Sequence, residues 1–145
     1  ILDRMQTIEV GDTLFNYVFE DIDGRKVSLD DLVTSRTVIT YMQTDCDGCL
    51  LELEEMIKTV TDPADYRHFI LISSANPLHL RKLRDNFGLD CAILYDEERQ
   101  FGYALNIYSY PFSVIVNGSR VILDIRADAL WAEDFQEIIR LNREG

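Results

Sequence analysis

The most informative part of the chain is residues 37–49, with the sequence TVITYMQTDCDGC. Residues 37–41 are rich in β-branched side chains and predict a buried strand, and Cys46 follows after a short loop. From Cys49 onward, apolar residues recur at the spacing of an amphipathic helix. These apolar positions are Leu50, Leu53, Met56, Ile57 and Val60. The sequence therefore places both cysteines where a strand leads into a helix.

Cys46 and Cys49 are one helical turn apart, which is near enough to close a small disulfide ring. Unpaired N–H groups and the positive end of the helix dipole stabilise a thiolate at a helix start, so Cys46 is the expected nucleophile. Cys49 lies one turn further on, beside the apolar stripe. We expect it to be more shielded and to act as the resolving thiol that releases a mixed disulfide.

Zinc binding is the main alternative for this cysteine pair. A structural zinc site needs four ligands, and the other candidates are Cys91, His68 and His79, none of which belongs to a second paired motif. Cys91 is interpreted as a small buried apolar residue, and the two histidines as a strand-edge and a helix-surface residue. The spacing thus favours redox chemistry and implies no metal and no organic cofactor.

Alternating strand and helix patterns surround this segment. The predicted elements are a hairpin of strands 17–19 and 26–29, strand 68–73, helix 77–87, strand 92–95, a helix carrying Phe101, Ala104 and Leu105, strands 112–116 and 120–125 joined at Asn117-Gly118, and a last helix carrying Leu130, Trp131, Phe135, Ile138 and Ile139. Trp131 is expected in the core by its spacing. This order predicts an α/β fold, with a mixed sheet covered by helices on both faces and an N-terminal β-hairpin.

Length and charge limit the possible functions. The 145 residues, 47% of them hydrophobic, predict a single domain over residues 1–145. A net charge of -12 leaves no basic stripe for nucleic acid or anionic membranes, and no apolar run approaches the roughly 20 residues of a membrane span. Because the first residue is Ile1, we expect any signal peptide or lipid anchor to lie upstream.

The chain resembles the TlpA/ResA-like thiol-disulfide oxidoreductases of the thioredoxin superfamily, which is related to AhpC/TSA proteins. The resemblance runs from Gly11 to the last helix and rests on residues 11–24, on residues 41–49 and on Tyr110-Pro111. Residues 41–49 match the family signature Phe-Trp-Ala-x-Trp-Cys-x-x-Cys. The departures are Met42 and Asp45 in place of the two tryptophans, Phe112 in place of a threonine, and Phe15 in place of a proline. A thioredoxin-like fold is implied.

The resemblance also assigns roles beyond the cysteines. It implies that the Tyr110-Pro111 bond is cis, so that the Tyr110 backbone faces the disulfide and pairs with an extended substrate strand. The alternative is an ordinary trans proline at the start of a strand. Glu52 matches an acidic position of the family that assists proton transfer to the buried thiol. The alternative is that Glu52 is a solvated acid like its neighbours.

Three residues beside Cys46 are expected to tune its redox chemistry. They are Asp45, Asp47 and Gly48. The negative charge of Asp47 disfavours the Cys46 thiolate, and a less stabilised thiolate makes the disulfide form a weaker oxidant. We therefore expect a reductant or a disulfide exchanger rather than a strong oxidase.

The resulting hypothesis is an enzyme that reduces or exchanges disulfides in protein partners, supplied by an upstream thiol protein that donates or accepts electrons. The resemblance implies a periplasmic or other extracytoplasmic setting in a bacterium, with the chain either free or anchored to the membrane through a preceding segment. One alternative is a thioredoxin-like interaction module with weak or no redox activity. The other is a peroxiredoxin-type peroxidase, although Thr44 lies two rather than three residues before Cys46 and the proline of that motif is absent.

Overall fold

Within residues 8–144, which the computed structural model describes, seven strands form one β-sheet. The strands are β1 (Val18–Asp21), β2 (Lys26–Ser28), β3 (Thr37–Tyr41), β4 (Phe69–Ser73), β5 (Ala92–Tyr95), β6 (Phe112–Val116) and β7 (Ile122–Arg126). Their order across the sheet is β2-β1-β5-β4-β3-β6-β7. The helices are α1 (Asp47–Thr59), α2 (Pro77–Phe87), α3 (Gln100–Ala104) and α4 (Ala132–Glu144). Short 3-10 turns cover Leu29–Asp31, Pro63–His68 and Glu97–Arg99.

The sheet is mixed, as predicted. Strands β3, β4 and β5 are parallel at its centre, and the β1-β2 hairpin and the β6-β7 hairpin are antiparallel at its edges. Every residue of β3 and β4 is buried. Continuous apolar runs are typical of central strands with both faces covered, and this explains why β3 was recognisable from its sequence.

Two apolar cores fill the two faces of the sheet. One contains residues of α1, α2 and α4, including Leu53, Leu80 and Phe135. The other contains Phe101 and Leu105 from α3 and its C-cap, together with residues of the N-terminal segment such as Leu14. The predicted thioredoxin-like α/β architecture is thus confirmed, with α1 packed on one face and its N-terminus at the end of β3.

The helix ends follow local sequence rules. Asn76 caps α2 through its side chain, Pro77 is the first helical residue, and Gly88 ends the helix with a left-handed φ of 66°. Cys46 is the N-cap of α1, and its sulfur accepts the N–H of Cys49. The sequence-derived boundaries are therefore confirmed for α2 and accurate to two residues for α1.

The predicted hairpin at Asn117-Gly118 is confirmed, since β6 and β7 pair antiparallel, but its loop is longer than the predicted strand bounds implied. Gly118 does not have a positive φ, whereas Arg120 does, at 64°. The Asn117 side chain accepts the N–H groups of Ser119 and Val121 and organises a longer loop. The expected start of the strand at residue 120 was wrong, and β7 begins at Ile122.

Trp131 and His68 also differ from expectation. Trp131 is 52% exposed, because the helix begins only at Ala132 and the Trp131 N–H donates to the Asp134 carboxylate at the helix start. Its position before the first turn removes it from the buried stripe. His68 ends a 3-10 turn rather than beginning β4, and it is buried with Nδ1 2.9 Å from the Thr34 hydroxyl.

No helix among the described residues has the length and apolar character needed to span a bilayer. The expectation of a leader or an anchor before Ile1 lies outside the described residues.

Candidate functional site

The predicted nucleophile and resolving cysteine form a disulfide. Cys46 and Cys49 are bonded through their sulfurs, and their Cα atoms are 5.2 Å apart. The Cys49 N–H lies 3.2 Å from the Cys46 sulfur, which places that sulfur at the positive end of α1. The local fold follows from the sequence, because buried β3 ends at Tyr41 and only a short loop separates it from the helix.

The two sulfurs differ in accessibility. Cys49 is 1% exposed and belongs to the core beneath α1, whereas Cys46 is only half-buried. A partner sulfur can therefore approach Cys46 but not Cys49. This asymmetry is what an attacking cysteine and a resolving cysteine require.

The Tyr110–Pro111 loop lies directly beside Cys46. The peptide bond between these residues is cis, as the family resemblance implies. The carbonyl oxygen of Tyr110 is 3.6 Å from the Cys46 sulfur. Pro111 packs on the start of α1 so closely that a Cβ at Gly48 would be 3.3 Å from its Cδ atom. Thus Gly48 and the proline loop fit together at the disulfide.

Two acidic residues flank Cys46. Asp45 and Asp47 are both exposed, and both come from the segment that turns from the loop into α1. They place negative charge on the surface around the disulfide.

Glu52 lies in α1, one helical turn after Cys49, and is buried with 1% exposure. Its carboxylate accepts the backbone N–H of Leu130 at 2.7 Å. Burial raises the pKa of Glu52 from 4.5 to about 7, although the bonds from Leu130 and Thr40 act in the opposite direction. Glu52 is therefore not one of the solvated acids, and it can exchange a proton near neutral pH.

A pair of buried hydroxyl groups extends this polar site. Thr40 and Ser113 are partners in the register of β3 and β6, and their hydroxyl oxygens are 2.8 Å apart. Sequence reasoning missed these residues and Leu130. Hydroxyl residues within buried strands were visible, but the strand register needed to pair them was not.

A second buried polar group lies on the other face of β3. The Tyr41 hydroxyl donates to the Asp96 carboxylate at 2.6 Å, and Asp96 also accepts the N–H groups of Phe101 and Gly102. Burial and the bond to Asp96 raise the pKa of Tyr41 above its usual value. The Tyr41 ring stacks on Tyr110, with centroids 5.8 Å apart, so this group adjoins the proline loop.

Cys91 is not paired with another cysteine and is partly rather than fully buried, unlike the expectation. It precedes β5, whereas Cys46 follows the end of the parallel strand β3, so the two lie toward opposite ends of the parallel strands. Burial raises the pKa of its thiol to about 12, so the thiolate is scarce at neutral pH. Within residues 8–144, no cluster of three or more His, Cys, Asp or Glu side chains could hold a metal ion.

The fold and the disulfide place the chain among thioredoxin-like proteins. A sequence model of the AhpC/TSA family matches residues 10–125, which is most of the chain. The chain therefore belongs to the AhpC/TSA family.

Comparison with known proteins indicates which members of this family the chain is similar to. The chain is 24% identical to the thiol-disulfide oxidoreductase ResA of Halalkalibacterium halodurans, over 90% of this chain and 77% of that protein. It is 22% identical to the thioredoxin-like protein YneN of Bacillus subtilis, over 93% of this chain and 81% of that protein. A secreted disulfide oxidoreductase of Mycobacterium tuberculosis has the same fold, with a TM-score of 0.73 at 13% identity, covering 87% and 96% of the two chains.

These relatives and the Cys46–Cys49 pair confirm the predicted class. The chain is a TlpA/ResA-like thiol-disulfide oxidoreductase.

Proposed function

We propose that this chain reduces or exchanges disulfides in protein partners, with Cys46 as the attacking residue and Cys49 as the resolving residue. The observation that carries the proposal is the disulfide itself, with one reachable sulfur at the helix start and one sulfur buried in the core.

The reaction proceeds in two exchange steps. In the first, the Cys46 thiolate attacks one sulfur of the client disulfide, so that a Cys46–client bond forms, the client disulfide breaks and a client thiolate leaves. In the second, the Cys49 thiolate attacks the Cys46 sulfur, the Cys46–client bond breaks and the second client thiolate leaves. The client gains two electrons, and the chain loses two. An upstream thiol protein then restores the dithiol.

Glu52 is proposed to take the proton of Cys49 before the second step. Both residues are buried on α1, one helical turn apart, so water has little access to the thiol. With a pKa of about 7, the Glu52 carboxyl exists in both protonation states near neutral pH, as a general base requires.

The proline loop is the proposed client-binding edge. The Tyr110 carbonyl lies beside the Cys46 sulfur, and Pro111 holds that backbone against Gly48. An extended client segment can add to such a backbone edge by main-chain hydrogen bonds. Asp45, Asp47 and Gly48 are the proposed tuning residues, since they surround the sulfur that changes charge in the reaction.

The proposed setting is extracytoplasmic, in a bacterium, because the chain resembles the TlpA/ResA-like group. Protein clients are expected to be neutral or basic, since the chain has a net charge of -12.

The test is reduction of insulin disulfides by dithiothreitol, with wild-type protein, Cys46→Ser and Cys91→Ser. Because Cys91 lies toward the opposite end of the parallel strands from Cys46 and is poorly ionised, Cys91→Ser controls for loss of a thiol as such. We expect Cys91→Ser to retain wild-type turnover and Cys46→Ser to have none. Equal turnover in wild type and Cys46→Ser would instead support an interaction module without redox function.

A further inference from the structure

Arg99 occupies an unusual position beside the proline loop. Its guanidinium carbon lies 4.8 Å from the ring centroid of Tyr103, 5.7 Å from that of Tyr110 and 5.9 Å from that of Tyr41. Its Nη2 donates to the carbonyl of Ile107 at 2.8 Å. The buried Nε has no hydrogen-bond acceptor within the part of the chain that the structure describes. Three tyrosine rings thus lie within about 6 Å of this cation.

The backbone conformation of the turn places Arg99 at this position. Arg99 has a φ of 55°, in the left-handed region, which a residue with a side chain seldom adopts without compensating contacts. Gly102 faces the same site, and a Cβ there would lie 2.9 Å from the Tyr41 hydroxyl and 3.1 Å from Nη2 of Arg99. Asp96 stabilises this turn, because its carboxylate accepts the N–H groups of Phe101 and Gly102.

Tyr110 lies between the Arg99 guanidinium and the Cys46 sulfur and contacts both. The Tyr110 ring contacts the guanidinium and stacks on Tyr41, while its carbonyl oxygen lies 3.6 Å from the Cys46 sulfur. Because the ring and the carbonyl belong to the same residue, holding the ring also fixes the direction of the backbone edge.

We propose that Arg99 is a positioning residue for the binding of protein clients. Its guanidinium holds the Tyr110 ring in place, and this keeps the backbone edge beside Cys46 in the conformation that binds an extended client segment. This inference rests on the proposed function, in which that edge binds the client. A small disulfide needs only access to the Cys46 sulfur. Arg99 therefore determines preference for protein disulfides over small ones, without taking part in the exchange itself.

The test compares kcat/KM for insulin with kcat/KM for 2-hydroxyethyl disulfide, with dithiothreitol as reductant. The variants are Arg99→Met, which keeps the stem and removes the cation, and Arg99→Lys, which keeps a cation over the rings without the planar fork. Arg140→Met is the matched control, since Arg140 is exposed and, among residues 8–144, forms its ion pairs with Glu137 and Glu144 of its own helix. Thermal unfolding is measured for every variant.

Arg99→Met is expected to lose about tenfold in kcat/KM for insulin, and to stay within about twofold of wild type for the small disulfide. Arg99→Lys is expected to have a kcat/KM for insulin between those of wild type and Arg99→Met. It serves as the test if Arg99→Met does not fold. Arg140→Met is expected to match wild type on both substrates.

Two results would overturn the inference. One is an unchanged ratio of the two kcat/KM values in both Arg99 variants. The other is an equal fall on both substrates, which would place the effect on the sulfur or on the fold. Failure of the proposed function is distinguishable from both, since wild-type protein would then lack Cys46-dependent turnover on either substrate.

Discussion

Glu52 is a carboxylic acid held in the apolar interior beneath α1, and its ionisation therefore opposes folding. Because its pKa is about 7 in the folded state and 4.5 as an ordinary glutamate, the folded state binds the proton more tightly. The contribution of the protonated Glu52 carboxyl to the free energy of unfolding is complete below pH 4.5 and is lost as the pH rises through 7. At about 1.4 kcal/mol per pKa unit, the loss amounts to roughly 3 kcal/mol.

Glu52→Gln should remove this dependence, since glutamine keeps an acceptor for the Leu130 N–H and has no charge. The free energy of unfolding of both proteins is measured in urea between pH 4.5 and pH 8. The value for the variant relative to wild type is expected to increase by roughly 3 kcal/mol across this range. Glu54→Gln, at an exposed position of the same helix, is the control and should follow wild type. Parallel pH curves for wild type and Glu52→Gln would show that the Glu52 carboxyl titrates normally.

Asp47 is exposed at the first position of α1, next to Cys46, the proposed nucleophile. Asp47→Asn removes a negative charge that disfavours the Cys46 thiolate, so the dithiol form becomes more stable. The reduction potential is expected to rise by roughly 10–20 mV, as measured by equilibration with glutathione. Glu54→Gln, further along the helix, should leave the potential unchanged. A potential that stays constant in Asp47→Asn would remove Asp47 from the tuning residues.

Individual residues show what the sequence could reveal about the site. The two cysteines were predictable because their chemistry depends on local spacing and on a helix end. Glu52 was assigned by resemblance, and only its burial separates it from Glu54 and Glu55. Arg99 could not be predicted, because its contacts depend on a left-handed backbone turn and on strands far away in sequence.

At the scale of elements, the site depends on how closely the start of α1 approaches the proline loop. A Cβ at Gly48 would lie 3.3 Å from Pro111, closer than an ordinary van der Waals contact. Gly48→Ala should therefore shift the loop by a few tenths of an ångström and lower the rate of insulin reduction several-fold.

The stability of Gly48→Ala should change little, by less than about 1 kcal/mol, because alanine favours the helix by a similar amount. Gly118→Ala is the matched control, since the nearest atom that a Cβ there would meet in the described part of the chain is the Thr34 carbonyl oxygen, at an ordinary 3.6 Å. Insulin reduction at the wild-type rate in Gly48→Ala would show that the loop tolerates displacement.

The elements themselves were largely predictable from the sequence. Strand β3 matched its predicted range, because β-branched and apolar residues fill it completely. The hairpin at Asn117-Gly118 was predicted correctly, but its second strand begins later than expected, because the Asn117 side chain stabilises a longer loop with Arg120 in the left-handed region. Trp131 was misplaced because the helical spacing was extended to Leu130 and Trp131, two residues before the true start of α4.

For the molecule as a whole, alternation of strands and helices predicted the mixed sheet, but not its strand order. The order β2-β1-β5-β4-β3-β6-β7 brings the ends of β3 and β6 together, and with them the disulfide and the proline loop. Pairing of distant strands is fixed by tertiary packing rather than by local pattern. The interpretation of residues 1–145 as one domain stays a prediction.

The most direct test is a redox titration of the Cys46/Cys49 couple against glutathione, followed by thiol labelling, with Cys46→Ser as the control. We predict one two-electron transition in the wild-type protein, with a slope of about 30 mV per decade, at a potential well below the roughly -120 mV of a strong disulfide oxidant. No such transition should occur in Cys46→Ser. A wild-type protein whose cysteines show no reversible transition, or one that is unchanged in Cys46→Ser, would contradict the proposed exchange.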